Sequence, residues 1–255
     1  MRKIIKFFLI LLLGDKLRVL KMRKGLFKGI LLEVNLKNQL ALIFGTTEIH
    51  LQEILKKYVT KNAIVFDIGA NIGYVSIAMS KIVGEQGKVY SFEAIPETSN
   101  KCKRNLELNS CTNVSLTNKA LSNQSEMVIF RIPDGGETHS MASMIWHSSA
   151  KDSVEVEVES ITIDTDTRFS SLSPTFVKID VEGAEGKVIK GMQGLIKRCN
   201  PVIFIECSKA GREDVWDVLR NQNKYNCFNA ITNKEIVDFQ DYWSNDFIWL
   251  PSKES

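Results

Sequence analysis

The chain is expected to fold as an α/β domain with a mostly parallel central sheet and helices on both faces. Three features predict this. From residue 63 onward, short apolar β-rich runs alternate with helix-like segments, the pattern that crossover helices impose on parallel strands. A glycine-bearing loop sits where the first of these runs meets its helix. The 255 residues, 44% hydrophobic and 25% charged, are enough for one large core and show no bias towards disorder.

Taken in order, residues 1–28 form a basic leader. They carry Arg2, Lys3, Lys6, Lys16, Arg18, Lys21, Arg23, Lys24 and Lys28 against Asp15 alone, although the whole chain is only +3. The apolar run Phe7–Leu13 is far shorter than the roughly 20 residues of a spanning helix, and Gly14-Asp15-Lys16 is a poor cleavage site for a signal peptide. A basic, partly apolar helix lying on a membrane surface is expected over 1–28, on an otherwise cytoplasmic chain. The five cysteines, Cys102, Cys111, Cys199, Cys207 and Cys227, are scattered with no C-x-x-C. They read as reduced thiols, with no zinc site.

Residues 29–60 read as a hairpin and a helix preceding the core. Apolar residues alternate through Leu32, Val34, Leu36, Leu40, Leu42 and Phe44 around Lys37-Asn38, which predicts a hairpin over 30–44. Thr46 or Thr47 is placed to cap a helix over Glu48–Tyr58. Residues 61–250 then form one domain. Strands are expected at Ala63–Ile68, Lys88–Phe92, Val114–Thr117, 126–132, 154–163, Thr175–Ile179 and Pro201–Ile205, with closing strands at Cys227–Ile231 and Phe247–Leu250. Helices are expected at Ile72–Val83, Pro96–Leu108, Ala184–Arg198 and Val215–Leu219. Pro96 suits a first helical turn. Strict alternation over Val154–Glu159 puts Glu155, Glu157 and Glu159 towards water. The polar segment 133–153 holds His139 and His147.

The densest chemistry lies in Asp67-Ile68-Gly69-Ala70-Asn71-Ile72-Gly73. Gly69 and Gly73 allow a sharp turn and a close backbone approach. A loop that opens a helix presents N–H groups to an anion, here the carboxylate of S-adenosylmethionine (SAM), with Asp67 able to accept from its ammonium. The spacing departs from the G-x-G-x-x-G of dinucleotide sites. About twenty residues on, Glu93 ends the next strand, where a carboxylate can accept from both ribose hydroxyls. Ala120 and Leu121, at the end of the third strand, offer an apolar face to adenine. A second cluster, Lys178-Ile179-Asp180-Val181-Glu182-Gly183-Ala184-Glu185, emerges at the carboxyl end of a buried strand, where open α/β sheets bind ligands. Asp180 and Glu182, with Lys178 beside them, are candidates to orient an acceptor or remove its proton, whereas Glu185 suits the start of the next helix. No His, Cys and Asp spacing marks a metal site. Aromatic residues do not interleave with a basic stripe, so nucleic acid is not the expected partner.

These segments, together with Ile161-Thr162-Ile163-Asp164 and Pro201-Val202-Ile203-Phe204-Ile205-Glu206, resemble the FkbM family of methyltransferases over roughly residues 48–207. The resemblance implies a Rossmann-like SAM methyltransferase fold with SAM as methyl donor. It implies O-methylation of a hydroxyl on a sugar, glycan, lipid-linked or secondary-metabolite acceptor. Asp67, Gly69, Asn71, Gly73 and Glu93 become cofactor contacts, and Lys178, Asp180 and Glu182 active-site candidates. Where many members place proline directly after the glutamate, Ala94-Ile95 here separate Glu93 from Pro96. N-methylation of RNA, protein or a small amine, and a non-catalytic SAM-binding scaffold at a membrane, remain alternatives on the sequence.

Overall fold

The structure, a computed structural model, describes residues 17–35, 44–45, 47–133, 153–209, 211–238, 240 and 245–252. It opens on an antiparallel hairpin, β1 (Leu17–Lys21) against β2 (Leu31–Asn35). The expected leader helix is therefore corrected over its described part, since 17–21 is strand. The turn between the strands uses Gly25 and Gly29 at φ +69° and +90°, and Met22 and Phe27 are buried in the domain. Residues 1–16 and the expected hairpin turn at Lys37-Asn38 lie outside the described residues. Asn109 fastens β2 to the body by accepting from the Leu31 N–H at 2.9 Å and donating to its carbonyl at 2.6 Å.

Helix α1 (Ile49–Tyr58) follows. It is not capped by Thr47. Its cap is Glu48 in the left-handed region (φ 49°, ψ 47°), with no side-chain hydrogen bond to the helix. Next come β3 (Ile64–Ile68), α2 (Tyr74–Val83), β4 (Lys88–Phe92), α3 (Pro96–Leu108), β5 (Val114–Thr117) and the short β6 (Ala120–Leu121). Then follow β7 (Met127–Pro133), β8 (Ser153–Ile161), β9 (Phe176–Ile179), α4 (Glu185–Lys190), α5 (Gln193–Cys199) and β10 (Val202–Glu206). Helix α6 (Arg212–Trp216) runs on into a wider π-type turn over Asp217–Gln222, and β11 (Tyr225–Asn229), β12 (Glu235–Ile236) and β13 (Asp246–Pro251) close the fold.

Among the described residues the main sheet has eight strands in the order β12-β11-β13-β10-β9-β3-β4-β5. The five from β10 to β5 are parallel, and β13 turns the far edge antiparallel. The expected Rossmann-like α/β architecture is present. The chain moves outward from β3 to β4 and β5, then returns to the other side of β3 with β9 and β10. That reversal leaves a crevice beyond the carboxyl ends of β3 and β9.

Period-two alternation sorts the core. Val65, Phe176, Phe204 and Ile248 lie under α1 and α2 with Leu51, Leu55, Val75 and Met79. Phe66, Val177, Ile203, Ile205 and Trp249 point the other way, onto α4, α5 and α6. Asp67, Lys178 and Glu206 share parity with Val65, Phe176 and Phe204, so they fall on the α1–α2 face.

The strands expected at 126–132 and 154–163 are present as β7 and β8, and they stand apart from the main sheet: β8 pairs with β7 on one side and β6 on the other in a separate three-stranded sheet. Their alternation fits that arrangement. Glu155, Glu157 and Glu159 are exposed and Val158 is buried, as a sheet with one wet face requires. The helix expected over Ala184–Arg198 is broken into α4 and α5. At Gly191 a Cβ would fall 2.0 Å from the Ser122 carbonyl oxygen, so the chain comes too close to another segment to carry a side chain there. Asp164 then restarts the helix. Its carboxylate accepts from the N–H groups of Gly194 at 2.7 Å and Leu195 at 2.8 Å, satisfying donors that a helix start leaves free.

Candidate active site

A cleft of about 260 Å³ opens at the carboxyl ends of β3, β4 and β9. The β3–α2 loop forms one wall. Gly69, Asn71 and Gly73 are all left-handed, at φ +78°, +51° and +86°. At Gly69 a Cβ would lie 1.7 Å from the Asp180 carbonyl oxygen, so glycine there lets the loop cross directly over the end of β9. The N–H groups of Gly69, Ala70, Asn71 and Gly73, expected from the sequence to face an anion, are instead engaged within the protein. Those of Gly69 and Ala70 both donate to the Phe92 carbonyl at 2.9 Å, and that of Gly73 to Ala70. The Asn71 N–H donates to Glu93 Oε2 at 2.8 Å. The loop spends these donors on tying β3 to β4, because β4 ends beside it.

Glu93 is 8% exposed and lines the cleft. Its second oxygen accepts from the Ile95 N–H at 3.0 Å. Burial raises its pKa, and the two backbone donors oppose that shift. Each carboxylate oxygen can accept a further hydrogen bond, so Glu93 can still grip a diol. Ile95, Ala120, Leu121 and Phe130 give the neighbouring wall an apolar surface. An anchoring carboxylate beside an apolar slot fits the ribose and adenine of SAM.

Asp67 and Lys178 sit behind the cleft rather than in it. Asp67 is fully buried, with Ser76 Oγ donating to its Oδ2 at 2.5 Å. The Lys178 ammonium, 3% exposed, donates to the Gly69 carbonyl at 2.8 Å and lies 3.5 Å from Asp67 Oδ1 and 3.2 Å from Asp180 Oδ2. Burial works against its charge, but Asp180, Asp67 and Glu48 outweigh burial and its pKa is raised. The structure thus gives Asp67 and Lys178 a shared task of fixing the glycine loop to β9. Neither reaches an open part of the cleft.

The opposite wall is acidic. Glu48, Asp180, Glu182 and Glu206 all line it. Glu182 occupies a left-handed turn at φ +52°, and its pKa is raised by burial and by Asp180. Glu185 is taken up structurally, its Oε1 accepting from the Gly183 N–H at 2.6 Å. Among the described residues no group of three or more His, Cys, Asp or Glu side chains is placed to hold a metal ion. His139 and His147 lie outside the described residues, and His50 pairs with Asp246 at 2.7 Å.

Burial, with Asp180, Asp246, Glu182 and Glu48 adding to it, pushes the Glu206 carboxyl from 4.5 up to about 8. The folded protein keeps a proton there that the unfolded chain has lost, so stability falls as pH rises from about 4.5 to about 8 and levels off above. Glu206→Gln should flatten that decline. Urea titrations of parent and variant across this window test it, and equal pH slopes would show that Glu206 is not strained.

Sequence reasoning did not single out Glu48, Tyr74, Ile95 or Phe130, all of which line the cleft. Ile95 and Phe130 could have been reached from the strand ends beside Glu93 and Ala120. Tyr74 directly follows the glycine loop at the start of α2 and could have been reached from it, whereas Glu48 belongs to no motif and enters at the start of α1.

Comparison with known proteins identifies the family. The Methyltransferase FkbM domain matches residues 67–242. Over 58 residues the chain is 36% identical to a protein-L-isoaspartate O-methyltransferase of Methanococcoides burtonii, covering 23% of this chain and 29% of that protein. A second such enzyme, from Methanothrix thermoacetophila, is 42% identical over 52 residues, covering 20% of this chain and 25% of that one. The chain therefore spans under a third of the length of these curated relatives. Among solved structures, a methyltransferase FkbM from Methylobacillus flagellatus aligns with TM-score 0.47 and 16% identity, over 74% of this chain and 43% of that one. A SAM-bound fibrillarin from Aeropyrum pernix aligns with TM-score 0.44 and 11% identity, over 76% and 68%. With the domain match running through well over half of its residues, the chain belongs to the FkbM family of SAM-dependent methyltransferases.

Proposed function

We propose that the protein transfers the methyl group of SAM to a hydroxyl oxygen of a sugar, glycan, or lipid-linked or secondary-metabolite acceptor. The observation that carries this reading is the division of the cleft. Glu93 and the apolar wall lie on one side, and Glu48, Asp180, Glu182 and Glu206 on the other. SAM supplies a methyl group activated by its sulfonium charge. The chain's own residues do the remainder. Glu93 holds the ribose. The loop over Gly69–Gly73, locked by Lys178, shapes the floor. The acidic wall receives an uncharged, hydrogen-bond-donating acceptor and provides oxygens that can take its proton. The ionised members of this wall repel phosphate and carboxylate groups near the reacting atom, which favours neutral hydroxyls over anionic acceptors.

Product analysis tests this reading. Purified protein incubated with SAM bearing an isotopically labelled methyl group and a panel of glycosides and polyols should give a labelled methyl ether. The label should stay on SAM when acceptor or protein is omitted. Label found on nitrogen, or on no acceptor while SAM is bound, would set the O-methylation reading aside.

A further inference from the structure

Glu48 is the one carboxylate of the acidic wall that comes from outside the matched domain, which begins at residue 67. Its backbone, like that of Glu182, is left-handed, at φ 49° and ψ 47°, an uncommon conformation for a residue with a side chain. Two features of its side chain set it apart. Its Oε1 accepts a hydrogen bond from the Tyr74 hydroxyl. Its Oε2 is buried and has no hydrogen-bond partner among the described residues. Leaving a buried carboxylate oxygen unpaired is costly, and here the oxygen belongs to a side chain that lines the cleft. Tyr74 is the first residue of α2, directly after Gly73. One end of the Glu48–Tyr74 pair is thus attached to the cofactor loop, and the other faces the acceptor wall.

Burial raises the Glu48 pKa, with Lys178 and the Tyr74 hydroxyl opposing the rise, and two of the neighbouring carboxyls are otherwise committed. Asp180 is engaged with the Lys178 ammonium at 3.2 Å. Glu206, pushed up to about 8, holds its own proton near neutrality and acts there as a donor.

We propose, on the basis of the methyl-transfer reading above, that Glu48 is the group that meets the reacting hydroxyl and that Tyr74 is its positioning residue. In that step the hydroxyl proton passes to Glu48 Oε2 as the oxygen lone pair bonds to the methyl carbon. The carbon–sulfur bond breaks with its electron pair left on sulfur, so S-adenosylhomocysteine and a methyl ether are formed.

The test needs no acceptor. Sinefungin carries an ammonium group where SAM carries its transferable methyl, whereas S-adenosylhomocysteine carries nothing there. Both are titrated calorimetrically into the parent, Glu48→Gln and Tyr74→Phe. The parent is expected to bind sinefungin about tenfold more tightly than S-adenosylhomocysteine, as a charge-assisted contact would give. Glu48→Gln should remove about that preference while leaving S-adenosylhomocysteine affinity within about twofold, and Tyr74→Phe should reduce the preference about threefold. An unchanged preference in Glu48→Gln, or an equal loss for both ligands, overturns the proposal, since the first means no contact and the second a structural role. If Glu48→Gln does not fold, Tyr74→Phe decides, and an unchanged preference there overturns it. A folded parent that binds neither ligand removes the SAM-dependent reading itself, a separate failure from that of Glu48.

Discussion

Replacing Lys178 with methionine is expected to destabilise the protein by about 3–5 kcal/mol, the cost of leaving one member of a buried ion pair without its partner. The methionine chain is of similar length, so the loss would not come from a large void. It would come from Asp67, which is fully buried and among the described residues would keep only the Ser76 hydroxyl at 2.5 Å. Burial already raises the Asp67 pKa, and Lys178 is the strongest influence opposing that rise. Without Lys178 the Asp67 carboxyl moves further up and holds its proton to higher pH. The folded form then binds a proton that the unfolded chain releases above 3.8, so the variant should lose stability as pH rises from acid towards neutral. Adding Asp67→Asn removes the stranded charge, and the double variant should recover most of the loss. Urea unfolding followed by circular dichroism, near pH 5 and near pH 7.5, measures all three proteins. A single variant as stable as the parent at both pH values would show that Asp67 and Lys178 are not coupled.

This pair also shows what the sequence could and could not convey. Lys178 and Asp180 were visible as charges at the end of an apolar strand, and alternation put them on one face. That Lys178 points back to the Gly69 carbonyl, 109 residues earlier, follows from β3 and β9 being neighbours, a pairing that local periodicity does not encode. The strands β3, β4, β9 and β10 were legible because each is a short, mostly apolar, β-rich run. The break between α4 and α5 was not. Gly191 fits a helical pattern in sequence, and only the approach of Ser122 ends the helix there. Residues 17–21 were misread for a related reason. Their charges suit an amphipathic helix as well as an edge strand, and burial of Met22 and Phe27 beneath the turn decides between them. Glu93 was found because its distance from the glycine loop has a chemical meaning. Glu48 was not, because its role depends on a contact with Tyr74, 26 positions away.

Glu93→Ala should weaken SAM binding at least about a hundredfold, the largest loss expected from a single side chain facing the cofactor. Two effects combine. The ribose hydroxyls lose a charged acceptor, and charge-assisted bonds are roughly twice as strong as neutral ones. The Asn71 and Ile95 N–H groups, now held at 2.8 and 3.0 Å, also lose their acceptor at the edge of the cleft, at about 1–3 kcal/mol for each that stays unpaired. Asn71 lies inside the glycine loop, so the loop would loosen on the side that the cofactor touches. Glu93→Gln separates the two effects. It keeps the shape and one carbonyl acceptor but turns an NH2 group towards one of the two backbone donors, and should cost about tenfold. Calorimetric titration with SAM, with NAD as a control ligand and thermal unfolding to confirm that both variants are folded, reads the series directly. The order parent, Gln, Ala would place the ribose against Glu93. Equal affinity in all three would mean that the carboxylate serves only the backbone of the loop and does not hold the ribose.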